Sequence, residues 1–212
     1  TLLDKYAALG LTADYFSCDV ADGNAVQAML TAVEARLGPI SGIIHGAGLN
    51  RPRLTGQVSP QQAFAETAPK VLGILHLLDA VRTKPPKLIV GMGSIIGVTG
   101  MPGNGWYGFS NEVMDIALRG FVADHPQTCI ANIAFSIWRD EGMGARLGSV
   151  DLLRDKGIDA IPTDEGVKRF VQMFTRMSLV GASTAAICWS LPCRRCRVSG
   201  STVVARAAGT AA

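Results

Sequence analysis

The 212-residue sequence lacks any apolar run long enough to cross a membrane. Its longest apolar runs, residues 40–47 and 88–92, are the length of β-strands and fall well short of the roughly 20 residues that a membrane-spanning helix needs. It also lacks a basic stretch followed by an apolar run at its start, so no secretory signal is visible. Because the first residue is Thr1 rather than methionine, we expect the start to be cut rather than native.

Acidic residues are absent from residues 177–212. All 17 acidic groups and 16 of the 20 basic groups therefore lie in residues 1–176, which are close to neutral as a whole. A near-neutral body argues against an extended nucleic-acid-binding face. The basic groups of the last part are all arginines: Arg194, Arg195, Arg197 and Arg206.

Cysteine is scarce, with five in the chain. Cys18 and Cys129 lie inside apolar segments, where a cysteine behaves as a small buried hydrophobic residue, and we expect a reducing, cytoplasmic setting. Cys193 and Cys196 have the Cys-x-x-Cys spacing of zinc or redox pairs. Neither a second pair nor a nearby histidine follows them, so no metal site is predicted.

Helical periodicity and strand-like runs alternate along the chain, which is typical of βαβ units around a parallel sheet. Four strands, each followed by a helix, predict one α/β domain with a doubly wound, Rossmann-like parallel sheet and ligands at the carboxyl ends of its strands. Asp22 offers an N-cap for the second helix. The predicted strands cover residues 13–20, 40–45, 87–92 and 129–137, and the predicted helices residues 2–9, 24–37, 60–81 and 106–123.

Beyond Phe174 the pattern ends, and no amphipathic period is visible from residue 178 onward. We therefore divide the chain into a Rossmann-like catalytic region, residues 1–176, and an atypical tail rich in Cys, Arg and Ala, residues 177–212. A break in composition this sharp is also consistent with an altered reading frame.

One group of polar residues can support the reduction of a carbonyl. Ser94 follows a strand, Tyr107 opens a helix, and Asn111 lies one turn further along the same helix face. A tyrosine can donate a proton to a carbonyl oxygen if a nearby cation stabilises the phenolate, and a serine hydroxyl can hold that oxygen. Taken alone, the same residues also fit a loop serine and a core tyrosine.

The wider sequence resembles the ketoreductase domains of type I polyketide synthases, within the short-chain dehydrogenase/reductase superfamily. The resemblance covers roughly residues 10–174 and keeps both the order and the spacing of the family's motifs. Beyond the tyrosine helix, Trp138, Gly142 to Gly144 and Gly157-Ile158 also resemble the family. The main matching motifs are Cys18-Asp19-Val20, Ile43 to Gly48, Pro69 to Gly73, Gly93 to Gly97 and Tyr107 to Asn111.

Lys70 distinguishes this family from ordinary short-chain dehydrogenases. Those enzymes carry Tyr-x-x-x-Lys, whereas here the lysine position holds Asn111, and Lys70 on the preceding helix lies in a matching Pro-Lys-Val-Leu-Gly context. The resemblance implies that Lys70 lowers the pKa of Tyr107 and contacts the nicotinamide ribose. It also implies that Ser94 orients the carbonyl, Tyr107 donates the proton and Asn111 supports the arrangement. The alternative for Lys70 is a solvated helix lysine.

The resemblance also implies an NADPH site. It places Asp19 and Val20 at the adenine. It places Ser136, together with Ile137 and Trp138, beside the nicotinamide. The small residues Gly46, Ala47 and Gly48 let the backbone approach the cofactor. Asp19 could instead be a turn or N-cap aspartate, Gly46 and Gly48 could form a simple tight turn, and Trp138 could be a core aromatic residue. The cofactor-binding set is therefore Asp19, Val20, Gly46, Ala47, Gly48, Lys70, Tyr107 and Ser136.

A glycine-rich phosphate loop is lacking ahead of Asp19. The glycine-rich residues 93–105 follow a later strand and contain Ser94, so they are not such a loop. The resemblance implies that two strands and their intervening helix precede Thr1. In the family's strand order, those two strands lie between the Asp19 and His45 strands. We therefore expect the 212-residue chain alone to bind NADPH poorly and to be inactive, and measurable binding would refute this.

The implied reaction is reduction of a β-ketoacyl thioester carried on an acyl carrier protein, with neighbouring synthase domains as partners and no nucleic acid or membrane. Two alternatives remain open on the sequence. One is a free-standing short-chain reductase acting on a small carbonyl, and the exchange of Lys70 and Asn111 argues against it. The other is a non-catalytic structural domain, which would have no need to keep Lys70, Ser94, Tyr107 and Asn111 together.

Overall fold

The computed structural model describes residues 1–155, 159–180, 185–189 and 203–206. Helices and strands alternate through most of this part, as the periodicity predicts. A 3₁₀ turn lies at Thr55–Gln57, in the connection that follows the first strand. In chain order the elements are α1 (Leu2–Ala8), α2 (Gly23–Leu37), β1 (Gly42–His45), α3 (Pro60–Ala80), β2 (Leu88–Ser94), α4 (Ile96–Thr99), α5 (Gly105–Asp124), β3 (Cys129–Phe135), α6 (Gly142–Arg146), α7 (Ser149–Asp155), α8 (Thr163–Val180), β4 (Ala185–Trp189) and β5 (Val203–Arg206).

The strands form one sheet in the order β1-β2-β3-β4-β5. The first four are parallel and β5 is antiparallel to β4. Helices α3, α5 and α8 lie in the connections between successive parallel strands, as such strands require. The predicted α/β, Rossmann-like class is confirmed.

Helices cover both faces of the sheet. Ile89 and Val90 are fully buried neighbours on β2, and their side chains point to opposite faces. Ile89 joins a core built with α2, α3 and α5, whereas Val90 joins a core that includes Phe170 and Met177 of α8. The sheet is thus the middle of three layers, which is the doubly wound arrangement.

The predicted strand at residues 13–20 is wrong. No strand is assigned to residues 11–19, which instead run beside α2, where Arg36 pairs with Asp14 at 2.9 Å and its guanidinium lies over the Phe16 ring. A strand requires a hydrogen-bonded neighbour, and none of the described residues supplies one.

The predicted N-cap of α2 is confirmed. Asp22 caps α2 by accepting hydrogen bonds from the backbone N–H groups of Asn24 and Ala25. Ser59 and Gln62 form a capping box at the start of α3, whose first residue is Pro60. These signals come from short-range hydrogen bonding, so the sequence around each end is enough to predict them.

The end of the chain contains more regular structure than its sequence pattern indicates. Helix α8 continues to Val180, and β4 extends the sheet beside β3, with Ala131 aligned with Ala185 and Phe135 with Trp189. This strand is short, and its neighbour lies about fifty residues earlier in the chain, so local periodicity does not reveal it. Cys193 and Cys196, and the Gly157-Ile158 motif, lie outside the described residues.

None of the described helices combines the length and the apolar character needed to cross a membrane.

Candidate active site

The predicted site residues lie mainly at one edge of the sheet. Ser94 is the last residue of β2 and is aligned with Phe135, the last residue of β3, so Ser136 follows at the same edge. Gly46 to Gly48 follow the neighbouring strand β1. Because parallel strands end at a common edge, three separate segments meet there.

Lys70 is the most deeply buried cation described. It lies on α3 with 2% of its surface exposed, and its Nζ donates a hydrogen bond to the carbonyl oxygen of Met92, at 2.7 Å. Burial lowers the pKa of Lys70 from 10.5 to about 8. The alternative of a solvated helix lysine is thus excluded by the fold.

Gly48 packs directly against this lysine. A Cβ atom built at Gly48 would lie 2.8 Å from Lys70 Cε, closer than side-chain carbons approach. A Cβ at Gly46 would meet only Met92, at 3.7 Å. An alanine at position 48 would therefore force Lys70 to shift, whereas one at position 46 would make only an ordinary contact.

Tyr107 lies in the first turn of α5 and is 8% exposed. Burial raises the pKa of Tyr107 above its usual 10, while hydrogen bonds with Ser94 and Asn111 act in the opposite direction. Tyr107 therefore keeps its proton at neutral pH. Lowering of the Tyr107 pKa by Lys70 stays a prediction, since burial has the largest effect here.

Asn111 joins Tyr107 to the short helix α4. Its Nδ2 donates to the backbone oxygen of Tyr107 at 2.7 Å, and its Oδ1 is buried without a partner among the described residues. A Cβ at Gly97 would lie 2.9 Å from Asn111 Cβ, so the glycine after Ser94 lets the two helices approach. An unpartnered buried oxygen leaves one acceptor available at the site.

His45 is a buried polar residue for which the sequence analysis assigned no role. It ends β1, is 2% exposed, and its Nε2 has no partner among the described residues. Burial, and secondarily the charge of Lys70, lower the pKa of His45 from 6.5 to about 4, so it is neutral at pH 7. A histidine in an otherwise apolar strand is the sequence signal for it.

Asp19 and Val20 are separated from the buried group. The exposed Asp19 carboxylate accepts from the backbone N–H of Ala21 at 2.9 Å, so a turn role is present. The Val20 carbonyl lies 3.1 Å from Nδ1 of His76 on α3. This contact, and packing of Val20 against Gly73 beside His45, bring the segment toward the end of β1.

The residues after β3 have mainly packing roles. Ser136 is 7% exposed, and the Trp138 ring packs against Phe135 with centroids 5.3 Å apart. A Cβ at Gly166 would meet the Trp138 ring, so α8 lies directly on that ring. These contacts support the core interpretation of Trp138.

Glu66 is a second buried ionisable residue that the sequence analysis did not single out. It is 3% exposed on α3 and lies 3.3 Å from Nη2 of Arg53. The sequence signal is its position, four residues before Lys70 and therefore on the same face of the helix.

The fold is of the three-layer, Rossmann-like α/β class, and Ser94, Tyr107 and Lys70 are buried toward the carboxyl edge of its sheet. The KR domain family model matches residues 1–140 of this chain. The chain therefore belongs to the KR, or ketoreductase, domain family.

Polyketide synthases are among the similar proteins. Polyketide synthase PksL of Bacillus subtilis is 28% identical over 172 residues, which are 79% of this chain and 4% of that protein. A phenolphthiocerol synthesis polyketide synthase type I of Mycobacterium marinum is 31% identical over 156 residues, or 72% of this chain and 7% of that protein. The chain thus spans less than a tenth of the length of either relative.

Among solved structures, a ketoreductase domain from the bacillaene assembly line superposes with a TM-score of 0.72 at 27% sequence identity. The match covers 82% of this chain and 43% of that one.

Proposed function

We propose that this chain contains the proton-transfer part of a β-ketoacyl reductase within a polyketide synthase. The substrate is a β-ketoacyl thioester on an acyl carrier protein, and the product is the β-hydroxyacyl thioester. The observation that carries the proposal is the convergence of Ser94, Tyr107, Asn111 and Lys70 in one buried region. Asn111 Nδ2 donates to the Tyr107 backbone oxygen, hydrogen bonding with Ser94 acts to lower the pKa of Tyr107, and Lys70 Nζ donates to the carbonyl oxygen of Met92, two residues before Ser94.

Each residue has a chemical role in this proposal. The Ser94 hydroxyl donates to the substrate's carbonyl oxygen and orients it, and Tyr107 Oη transfers its proton to the same oxygen as the carbonyl is reduced. The Lys70 ammonium stabilises the phenolate that remains. Asn111 holds the first turn of α5 through the Tyr107 backbone oxygen.

The residues present fit the nicotinamide ribose of the cofactor. Gly48 has no Cβ to press on Lys70 Cε, and Asn111 Oδ1 is a buried acceptor without a partner among the described residues. We infer that Lys70 and Tyr107 bind the ribose, that Gly46, Ala47, Gly48 and Ser136 border the nicotinamide, and that Asp19 and Val20 border the adenine. NADPH supplies the hydride when bound.

The partners follow from the same proposal. The relatives are polyketide synthases many times longer than this chain. Neighbouring synthase domains and an acyl carrier protein are therefore the proposed partners. The division into residues 1–176 and 177–212 is retained as a proposal, although its boundary falls inside α8.

Tyr107→Phe tests the proposed function. It removes only the hydroxyl, so we expect the rate of NADPH oxidation with a β-ketoacyl thioester to fall by about 10²–10⁴-fold. The assay uses the intact synthase polypeptide. Tyr15→Phe is the matched control, because Tyr15 is 76% exposed, whereas Tyr107 is 8% exposed. Equal rates for wild type and Tyr107→Phe would remove Tyr107 from its assigned role.

A further inference from the structure

Glu66 requires an explanation beyond the four proposed catalytic residues. A carboxylate that is 3% exposed must be paired or hydrogen-bonded, because desolvation of an isolated charge is very unfavourable. Oε1 accepts from the backbone N–H of Arg51 at 3.1 Å, and Oε2 accepts from Nη2 of Arg53 at 3.3 Å. Both partners belong to the connection between β1 and α3, so one carboxylate binds two points of the same segment.

Within that connection, residues 48–55 form a segment that contacts Lys70 at one end. The backbone of Gly48 leaves no room for a Cβ beside Lys70 Cε. Glu66 precedes Lys70 by one helical turn, so both side chains emerge from the same face of α3. The segment is therefore attached to α3 at two neighbouring places, by packing on Lys70 and by charge at Glu66.

The other end of residues 48–55 contacts the start of the tyrosine helix. The backbone N–H of Arg53 donates to the Gly103 carbonyl at 2.7 Å. A Cβ at Gly105, the first residue of α5, would lie 3.0 Å from Thr55 Oγ1. Tyr107 follows two residues later. The segment thus connects the helix that carries Lys70 with the first turn of the helix that carries Tyr107.

We propose that Glu66 is a positioning residue, which fixes residues 48–55 between α3 and α5 and so sets the placement of Lys70 relative to Tyr107. The inference deepens the proposed function and depends on it for its effect on catalysis. Arg53 orients the Glu66 carboxylate. The Arg51 N–H donates to the same carboxylate, and an uncharged oxygen acceptor at position 66 could also accept this bond. A displacement of residues 48–55 would move Gly48 away from Lys70. It would also break the bond from Arg53 to Gly103, just before α5.

The test compares Glu66→Ala, Glu66→Gln and Glu34→Ala in the intact synthase polypeptide. Glu34 is the matched control, since it pairs with Lys84 at 3.4 Å on an exposed part of α2. We expect Glu66→Ala to lower kcat per folded site about tenfold, because small displacements of reacting groups are costly in rate. Glu66→Gln should recover to within about threefold of wild type, since its amide oxygen still accepts from Arg51. Glu34→Ala should leave kcat unchanged.

Hydrogen exchange measures the same attachment without relying on turnover. The backbone amides of Arg51 and Arg53 should exchange at least about tenfold faster in Glu66→Ala, with the amides of β2 unchanged. If wild type reduces no β-ketoacyl thioester, the proposed function fails while the exchange data still decide the attachment. If Glu66→Ala does not fold, Arg53→Met replaces it, with faster exchange at Arg53 and kcat about threefold lower expected.

Two results would overturn the inference. One is a folded Glu66→Ala variant whose kcat lies within twofold of wild type. The other is unchanged exchange at Arg51 and Arg53. A lower melting temperature with unchanged kcat per folded site would also contradict it, because that is the result of a purely structural role.

Discussion

The buried tetrad of Lys70, Ser94, Tyr107 and Asn111 and the partly exposed Asp19-Val20 segment are held in different ways. Every tetrad side chain is at most 9% exposed, and several elements pack around it. Asp19 is exposed and forms a turn with Ala21, and the contact between His76 and the Val20 carbonyl attaches its segment to α3. The tetrad is therefore organised by the core of this chain, whereas the segment is attached at the edge of that core, through Val20, with Asp19 held only by its turn.

Lys70→Met changes the tetrad and leaves the Asp19-Val20 segment intact, and it should have the largest effect of the variants proposed here. We expect loss of reductase activity by about 100-fold or more, since no other buried ammonium among the described residues can replace it at Tyr107. At pH 7 the variant should nevertheless be more stable. A pKa lowered from 10.5 to about 8 corresponds to roughly 3 kcal/mol of charge burial, and the lost bond to Met92 costs about 1 kcal/mol.

This gain in stability has a defined pH dependence. The folded pKa of Lys70 lies below its unfolded value, so the unfavourable contribution of Lys70 is complete below about pH 8. It diminishes as pH rises from about 8 to 10.5, because the unfolded chain then binds the extra proton. Chemical denaturation of wild type and Lys70→Met at pH 7 and at pH 10 measures the stability difference where it is complete and where it has mostly disappeared. A variant less stable than wild type at pH 7 would contradict the assignment.

The pH–rate profile should show the same lysine. Because the mechanism needs a charged Lys70, the rate of reduction should fall about tenfold per pH unit above about pH 8. Burial raises the Tyr107 pKa, so the proton donor is not lost in this range. Initial rates at saturating NADPH from pH 6 to pH 10 check this, with circular dichroism confirming that the protein stays folded. A flat profile to pH 10 would show that the charge on Lys70 is not needed.

Gly48→Ala should have an intermediate effect. Its Cβ would lie 2.8 Å from Lys70 Cε, so the flexible lysine must shift, and we expect activity to fall about tenfold with a modest loss of stability. Gly120→Ala is the matched control, because a Cβ at that helical position meets nothing within 4 Å. It should stabilise α5 by up to about 1 kcal/mol and leave activity unchanged. Equal activities for the two variants would mean that the position of Lys70 tolerates displacement.

Asp19→Ala should have the smallest effect. It removes one exposed hydrogen bond, so we expect a change of less than about 1 kcal/mol in the free energy of unfolding. A selective rise of a few fold in the KM for NADPH, with kcat unchanged, would support the adenine role. A fall in kcat as large as that of Gly48→Ala would break the distinction between the two regions.

The sequence predicted the tetrad but not its surroundings. The swapped positions of Lys70 and Asn111 identify the family, and the i, i+4 spacing places Asn111 against Tyr107. The burial of Glu66 and His45 could not be inferred, because a carboxylate on a helix and a histidine in a strand are ordinary in isolation. Glu66 is held by Arg51 and Arg53 of the connection after β1, and His45 lies beside Gly73 of α3, and local spacing encodes neither contact.

Local chemistry in the sequence by itself determined the N-cap at Asp22, the alternation of strands and helices, and the spacing from Ser94 to Tyr107. Only the tertiary structure decided that residues 11–19 form no strand and that β4 joins β3, since a strand exists only where another chain segment supplies its hydrogen bonds. Burial likewise decided the chemistry of Lys70. The same ammonium on a solvated helix would keep a pKa near 10.5, whereas enclosure by Gly48 and Met92 brings it to about 8.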